Sequence, residues 1–541
     1  MSIWLDLGDG AQHRKRSAQA MVTTALPFRV RGPHLFAGNF SFAMNSFTRI
    51  ISAFGFASLL TLGNLTSSLA GSATWILNPA TGNWNTAANW NPATVPNGLS
   101  DVATFAVSNV TDVSLSSSVT LNGIVFQAGA SEFTITSPSA FATFLINGAG
   151  VTNNSGAEQT FVTAAQGRDQ GGITFAGSAT AGDATYMNNG AAVRSSFGGN
   201  TSFFNTSTAD SAAFVADGGQ ANGADGGGVI FFDSSTAGSA SFTVNGGTVS
   251  GATGGHLEFG NTSTADHATI IANGGTNGGG GGTIFFLDDS LGGRANITLS
   301  GNATLDLSNH SASDVIIGAL QGSGGTVALG RPGLSVNNKP DVTFGGVITG
   351  LGHLIKAAKG SLDLTNANTY TNGTKVLDGT LLVDNTTGSG TGTGPVRVKS
   401  GALGGSGSVA GSVMIGANIP GNGAFLVPGK SFGHPGTFTI LGALTFNSDG
   451  FFNCGFNETT LAQIIANGVT INPEAQFAFF NNRGSTLPDG TVVVVINNTA
   501  ATPIAGQFEN LPDGFIFTSG SNTFEVDYEG GDGNDLTLTA L

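Results

Sequence analysis

Phe204-Asn-Thr-Ser-Thr-Ala209-Asp-Ser-Ala212, Phe232-Asp-Ser-Ser-Thr-Ala237-Gly-Ser-Ala240 and Gly260-Asn-Thr-Ser-Thr-Ala265-Asp-His-Ala268 repeat one pattern at intervals of 28 residues. An earlier copy places Ala181 and Ala184 in the two alanine slots, with Ala179 where the others have serine, and a later, decayed copy has Gly292 and Ala295. Six residues past the second slot stands a glycine: Gly190, Gly218, Gly246, Gly274 and Gly301. A short strand-like run ending in an aromatic precedes each copy, at Phe175, Phe204, Phe232, Phe259 and Phe286. A fixed period with small residues at fixed corners is the pattern of a solenoid, in which each unit buries its face only against its neighbours. Two short strands per unit, with side chains alternating in and out, place the alanines as an inward ladder where the wall bends. The residue before the second slot is Asp183, Ser211, Ser239, His267 and Arg294 in turn. That mixture fits an outward, solvated position, so His267 is not read as a site.

Composition agrees. Of 541 residues 85 are glycine, charged residues make up only 9%, and 39 phenylalanines supply apolar material. Disordered chains are charge-rich and aromatic-poor, so this one folds. Its apolar runs are short and separated by Gly, Asn, Asp and Ser, which predicts many strands and turns. The fold class expected is all-β, a right-handed parallel β-helix (β-solenoid), preceded by a signal-peptide helix. The net charge is −15, and beyond residue 70 twelve basic residues face thirty-one acidic ones, a charge of −19. That balance repels nucleic acid and anionic lipid. The one cysteine, Cys454, leaves no intramolecular disulfide and no multi-cysteine metal site.

Residues 44–70 carry a basic start at Arg49, an apolar run from Ile50 to Leu65, and small residues up to Ala70 before Gly71. This is the layout of a secretory signal peptide with cleavage between Ala70 and Gly71, its apolar run too short for a membrane span. Residues 1–43 read as an unstructured N-terminal extension or a mis-assigned start. Three of the four tryptophans follow, at Trp75, Trp84 and Trp90. They suit either a platform for stacking sugars or a cap over the first coil, and the cap is preferred because a solenoid end has no neighbour to cover it. Residues 71–170 are therefore the N-terminal cap and first coils, 171–310 the 28-residue repeats, 311–415 further β-helix, and 416–541 C-terminal coils and cap. No transmembrane barrel is expected in that last stretch.

The stretch 344–415 has the most specific pattern. It contains Leu354-Ile-Lys356, Gly360-Ser-Leu362-Asp-Leu364, Asn368-Thr-Tyr370, Gly373-Thr374, Gly379-Thr-Leu381 and a glycine tract from Gly388. Strands are expected at 361–365, 374–377, 380–383, 396–399 and 409–415, with Gly401–Gly407 as a glycine-rich corner. The stretch closely resembles the autotransporter-associated β-strand repeat, also called the passenger-associated transport repeat. It departs from that pattern at Asn366, where the family usually has glycine. The resemblance implies an exported, surface-exposed β-helix of a Gram-negative-type bacterium, with the module helping the passenger to fold during secretion. It implies no catalytic residue. The 126 residues after Ile415 read as more solenoid rather than barrel strands, so export by separate secretion machinery is expected, with no transmembrane domain in the mature chain.

Other chemistry reads weakly. Gly530-Gly-Asp532-Gly-Asn-Asp535 approaches a calcium-binding nonapeptide, but one copy falls short of the six to eight oxygens calcium takes. Asp532 and Asp535 are weak calcium candidates, and a tight turn is the preferred reading. Lys356, Lys359, Lys375, Arg397 and Lys399 form one local basic region, read as a solvated face. Gly275–Gly282 reads as a flexible loop. Asp288-Asp289 is an acidic doublet, but its counterparts Asn205-Thr206, Asp233-Ser234 and Asn261-Thr262 mark it as turn chemistry. No cofactor is expected. The function expected is a structural or adhesive one, in an exported protein of the cell surface or extracellular space, with the periplasm also open. Its expected partners are surface glycans or host or matrix components. The alternative is an extracellular polysaccharide-binding or polysaccharide-degrading β-helix, with glycan lyase or hydrolase as the enzymatic form.

Overall fold

The computed structural model describes residues 71–541, apart from 140, 167, 168, 312, 313, 420, 432 and 483. The signal-peptide reading and residues 1–43 lie outside the described residues. Those described form a β-solenoid built of stacked parallel sheets, and their only helical turn is Ala87–Asn89. In the first part of the chain each coil gives one strand to a 13-stranded sheet and one to a 9-stranded sheet. Strands Gly172–Ala176, Asn200–Phe203, Gly228–Phe231, His256–Phe259 and Thr283–Phe286 pair in parallel, in register. Strands Thr185–Asn188, Ala213–Ala216, Ser241–Val244, Thr269–Ala272 and Asn296–Leu299 do the same opposite them.

The register fixes which aromatics face inward, and it corrects the sequence reading at two coils. Phe175 pairs with Phe203, then Phe231, Phe259 and Phe286. Phe204 and Phe232 lie one residue past the inward slot, half-buried on the outside, with rings 5.8 Å apart. The inward rings stack at 4.9, 4.5, 5.0 and 5.0 Å, close to the spacing of neighbouring strands. A second column, Phe161, Tyr186, Phe214 and Phe242, stacks at 5.1, 4.8 and 5.1 Å. It meets the first edge to face, as in the 5.8 Å contact of Phe203 with Phe214. Edge-to-face packing suits the ring quadrupoles and fills the width between the sheets. The buried Tyr186 hydroxyl donates to the Ala181 carbonyl at 2.9 Å.

The corners explain the small residues. Ala181, Ala209, Ala237 and Ala265, and Ala184, Ala212, Ala240 and Ala268, are fully buried. Asp183, Ser211, Ser239, His267 and Arg294 all point out. Asn205, Asp233, Asn261 and Asp288 hold φ of 57°, 55°, 52° and 51°, a left-handed conformation that Asn and Asp tolerate. Each side chain in that row accepts from the backbone N–H of the coil before, as Asp288 does from Asn261 at 3.0 Å. Gly190, Gly218 and Gly246 lie backbone on backbone: a side-chain carbon on either of the first two would overlap the carbonyl of the next. Gly275–Gly282, read from sequence as a flexible loop, is tied to the coil before by Gly280 donating to Ala252 and closed on its own coil by Gly282 donating to Asn273, each at 2.9 Å.

From about residue 315 the coil shortens and new sheets take over, two eight-stranded ones beginning at Val315–Ile317 and Val342–Phe344 and a seven-stranded one at Ser408–Val409. Leu334, Leu354, Thr374, Val396 and Val413 are successive partners, so a coil now takes about 20 residues. The first coil is covered by Trp75, Trp84 and Trp90, all buried, with Trp90 in edge contact with the other two at 5.0 and 4.9 Å. Each indole N–H reaches a carbonyl, of Val110, Pro96 and Trp84 respectively. At the other end parallel stacking stops. Val492–Asn498 pairs antiparallel with Asp535–Ala540, which pairs with Asn522–Gly530, which pairs with Ile516–Ser519.

Candidate functional site

The residues with the most specific pattern sit inside three consecutive short coils. Leu354, Leu362, Leu364 and Leu381 are fully buried, on strands Leu354–Lys356, Ser361–Leu364 and Thr380–Val383. Lys356 is also fully buried, which removes it from the solvated basic region expected of it. Alternation along Leu354-Ile-Lys puts it on the same side as Leu354. Its Nζ donates to the carbonyls of Ala357, Ala358 and, one coil on, Asp378. Burial holds its pKa down at about 8, with the carboxylates of Asp378 and Asp341 opposing the shift. The remaining basic side chains, Lys359, Lys375, Arg397 and Lys399, are exposed or half-exposed.

Asn368 ties three coils together. Its Oδ1 accepts from the Ile348 N–H at 2.7 Å on one side, and its Nδ2 donates to the Gly390 carbonyl at 2.6 Å on the other. Tyr370 is fully buried with its hydroxyl against that of Thr374, and burial pushes the phenol far above its usual pKa. Gly360 lies against the backbone of Lys339 and Pro340, Gly373 (φ 80°) against Pro395, and Gly379 (φ 71°) against Ala358 and Gly360. Of the eleven signature positions, Lys356, Gly360, Asn368, Gly373 and Gly379 touch a neighbouring coil, the four leucines are buried in the interior, and Tyr370 and Thr374 pair within their own coil.

Two local expectations change here. Gly401–Gly405 is a strand rather than a corner, with Leu403 inward and Gly404 beneath the carbonyls of Val427 and Gly429, where no side chain fits. The stretch 409–415 is two strands, Ser408–Val409 and Val413–Ile415, in different sheets.

The remaining candidates stay apart. Asp532 and Asp535 border the turn between the last two strands. Asp535 is buried and accepts from the Asn498 N–H at 2.8 Å; burial pushes its pKa up, Asp532 adds to this, and that N–H opposes it. Among the described residues no three His, Cys, Asp or Glu gather as metal ligands. His267 is exposed, 2.6 Å from Asp266. Cys454 is buried, its thiol pKa pushed up by that burial. No helix among the described residues is long and apolar enough to cross a membrane.

Sequence reading missed one pair. Asp363 and Asp384 lie on the outer face of successive coils, Asp363 only 8% exposed, with Lys430 Nζ 3.4 Å from Asp384. Burial and the adjacent Asp384 push the Asp363 pKa up, against the pull of Lys430. Their separation of 21 residues, near one coil length, was the available signal. No family model matches this chain, and no curated protein matches it.

Proposed function

We propose that this is a passenger-like β-helical protein, exported and displayed at the cell surface, with a structural and adhesive role, and that the 344–415 module assists its folding during export. The observation that supports the reading is that the signature residues are buried or join coils, from the buried Lys356 to the three-coil bridge of Asn368. A chain crossing a membrane end-first can add each coil to the one already formed, because solenoid folding nucleates locally and propagates. Fractionation of the producing cell with N-terminal sequencing tests the export claim. A surface or secreted species beginning at or near Gly71 is expected; a cytosolic chain beginning at Met1 refutes it. The module claim is tested by Asn368→Leu, which is expected to lower the amount of surface protein while leaving its synthesis unchanged.

A further inference from the structure

The outer faces of the coils mix Thr, Ser and Asn with scattered apolar residues such as Ile271 and Ile316; in one place apolar side chains gather into a groove. On the outer side of the sheet formed by Thr380–Val383, Gly401–Gly405, Ala424–Ser431 and Gly450–Phe456 runs a groove of about 610 Å³. Its floor and walls are apolar: Leu382, Ala402, Phe425, Val427, Phe451 and Ala478. In the ladder Thr380, Ala402, Phe425, Phe451, the two phenyl rings stack at 5.1 Å. The other face of Phe425 is therefore turned toward the small Ala402, leaving a slot one coil wide. Asn453 lines the same groove, only 7% exposed, and its side-chain amide makes no hydrogen bond. The Thr380 hydroxyl, also in the lining, makes none either. The one charged lining residue, Lys430, is paired with Asp384.

We propose that this groove binds a neutral oligosaccharide, one pyranose ring lying over Ala402 against the face of Phe425 with a hydroxyl bonded to Thr380 on the neighbouring strand, and a further sugar unit along the groove bonded to Asn453, two strands beyond Ala402. A sugar ring has an apolar C–H face and a polar rim, which matches an aromatic wall beside an unsatisfied amide. An alkyl chain would cover the Asn453 amide without replacing the water bonds open to it, which is costly. An acidic glycan is disfavoured by the carboxylates behind Lys430 and by the net charge of −15. The inference rests on the adhesive part of the reading above, and its failure would leave export and the module's folding role standing, since those are measured separately.

Calorimetric titration of the full chain with cellohexaose, laminarihexaose, maltohexaose and N-acetylchitohexaose, alongside oligogalacturonate and decanoate, tests it. At least one neutral hexaose is expected to bind and the oligogalacturonate not to. Asn453→Leu should weaken binding about tenfold, the worth of one hydrogen bond. Ala402→Trp, which fills the slot from outside the core, should abolish binding with the thermal melt unchanged. Silence from every neutral hexaose overturns the proposal, as does binding that both variants leave intact. So does preferential binding of decanoate or oligogalacturonate, or self-association of the chain that Ala402→Trp abolishes.

Discussion

Phe203 and Phe204 are adjacent phenylalanines in one coil, and they should respond to truncation very differently. Phe203 is fully buried, stacked at 4.9 Å on Phe175 and 4.5 Å on Phe231, with Phe214 edge-on at 5.8 Å. Cutting a buried phenylalanine to alanine costs about 3–5 kcal/mol, and lost ring pairs add about 0.5–1.5 kcal/mol each. A value toward the top of the first range is expected for Phe203→Ala, because the stacked coils above and below hold the cavity open. Phe204 is half-buried outside the sheet with a single ring neighbour at 5.8 Å, so Phe204→Ala should cost about 1 kcal/mol. A repeat array does not unfold as one unit, so native-state proteolysis across a urea series, with the cut sites mapped, is the right assay. Phe203→Ala should open the coils around 175–231 at clearly lower urea, while Phe204→Ala stays near the parent. Equal sensitivity, or the reverse order, would refute the register of the inward ladder.

The buried ammonium of Lys356 should make stability pH-dependent in an unusual range. Its pKa falls from 10.5 to about 8 on folding, so between those values the unfolded chain binds more protons and stability rises with pH. The full shift corresponds to about 3 kcal/mol. Urea titrations at pH 7 and pH 10 should show most of that gain, about 2.5 kcal/mol, in the parent and not in Lys356→Met; the same pH response in both would exclude it. Asp363 has the opposite sign. Its raised pKa means that ionisation works against the fold, so stability falls as pH climbs through the carboxylate range. Asp363→Asn should be more stable than the parent at pH 7, with the difference vanishing below about pH 4, and a loss of stability at pH 7 would contradict this. Asn368→Leu leaves the buried Ile348 N–H and Gly390 carbonyl unpaired and should cost about 3 kcal/mol, read as protease cleavage near 348–390; resistance equal to the parent would contradict that bridge.

Much of this is legible in the sequence, including the choice between the paired phenylalanines. The inward aromatic always stands six residues before the first alanine slot: Phe175 to Ala181, Phe203 to Ala209, Phe231 to Ala237, Phe259 to Ala265 and Phe286 to Gly292. In the doublets Phe203-Phe204 and Phe231-Phe232 either ring could end a strand, and only that constant separation decides between them. The alanine and glycine corners were legible because a wall bending over stacked backbones tolerates no larger side chain, which leaves the same mark in every coil. Gly401–Gly405 left no such mark. Its glycines are required by carbonyls of neighbouring coils, Gly404 by Val427 and Gly429 of the following one and Gly401 and Gly405 by Gly379 and Val383 of the one before, a non-local demand that looks locally like a turn.

The candidate site divides along the same line. Lys356 looks like a surface residue by type, yet period-two alternation places it beside Leu354, and what accepts its charge is a turn at Ala357–Ala358 and a carbonyl at Asp378 on the next coil. The strong pattern of the 344–415 stretch is therefore a record of what the interior needs. Every second residue of the same strands is free of that demand. The outward positions hold Asp363 and Leu382, then Ala402, Phe425 and Asn453. A carboxylate, a small residue, a half-buried ring and an unpaired amide are not what a solvated sheet face requires, since threonine or serine would serve on all of them. The coil-to-coil pattern thus fixes the scaffold, and ligand chemistry is to be sought in the outward residues that depart from the hydroxyl-rich exterior.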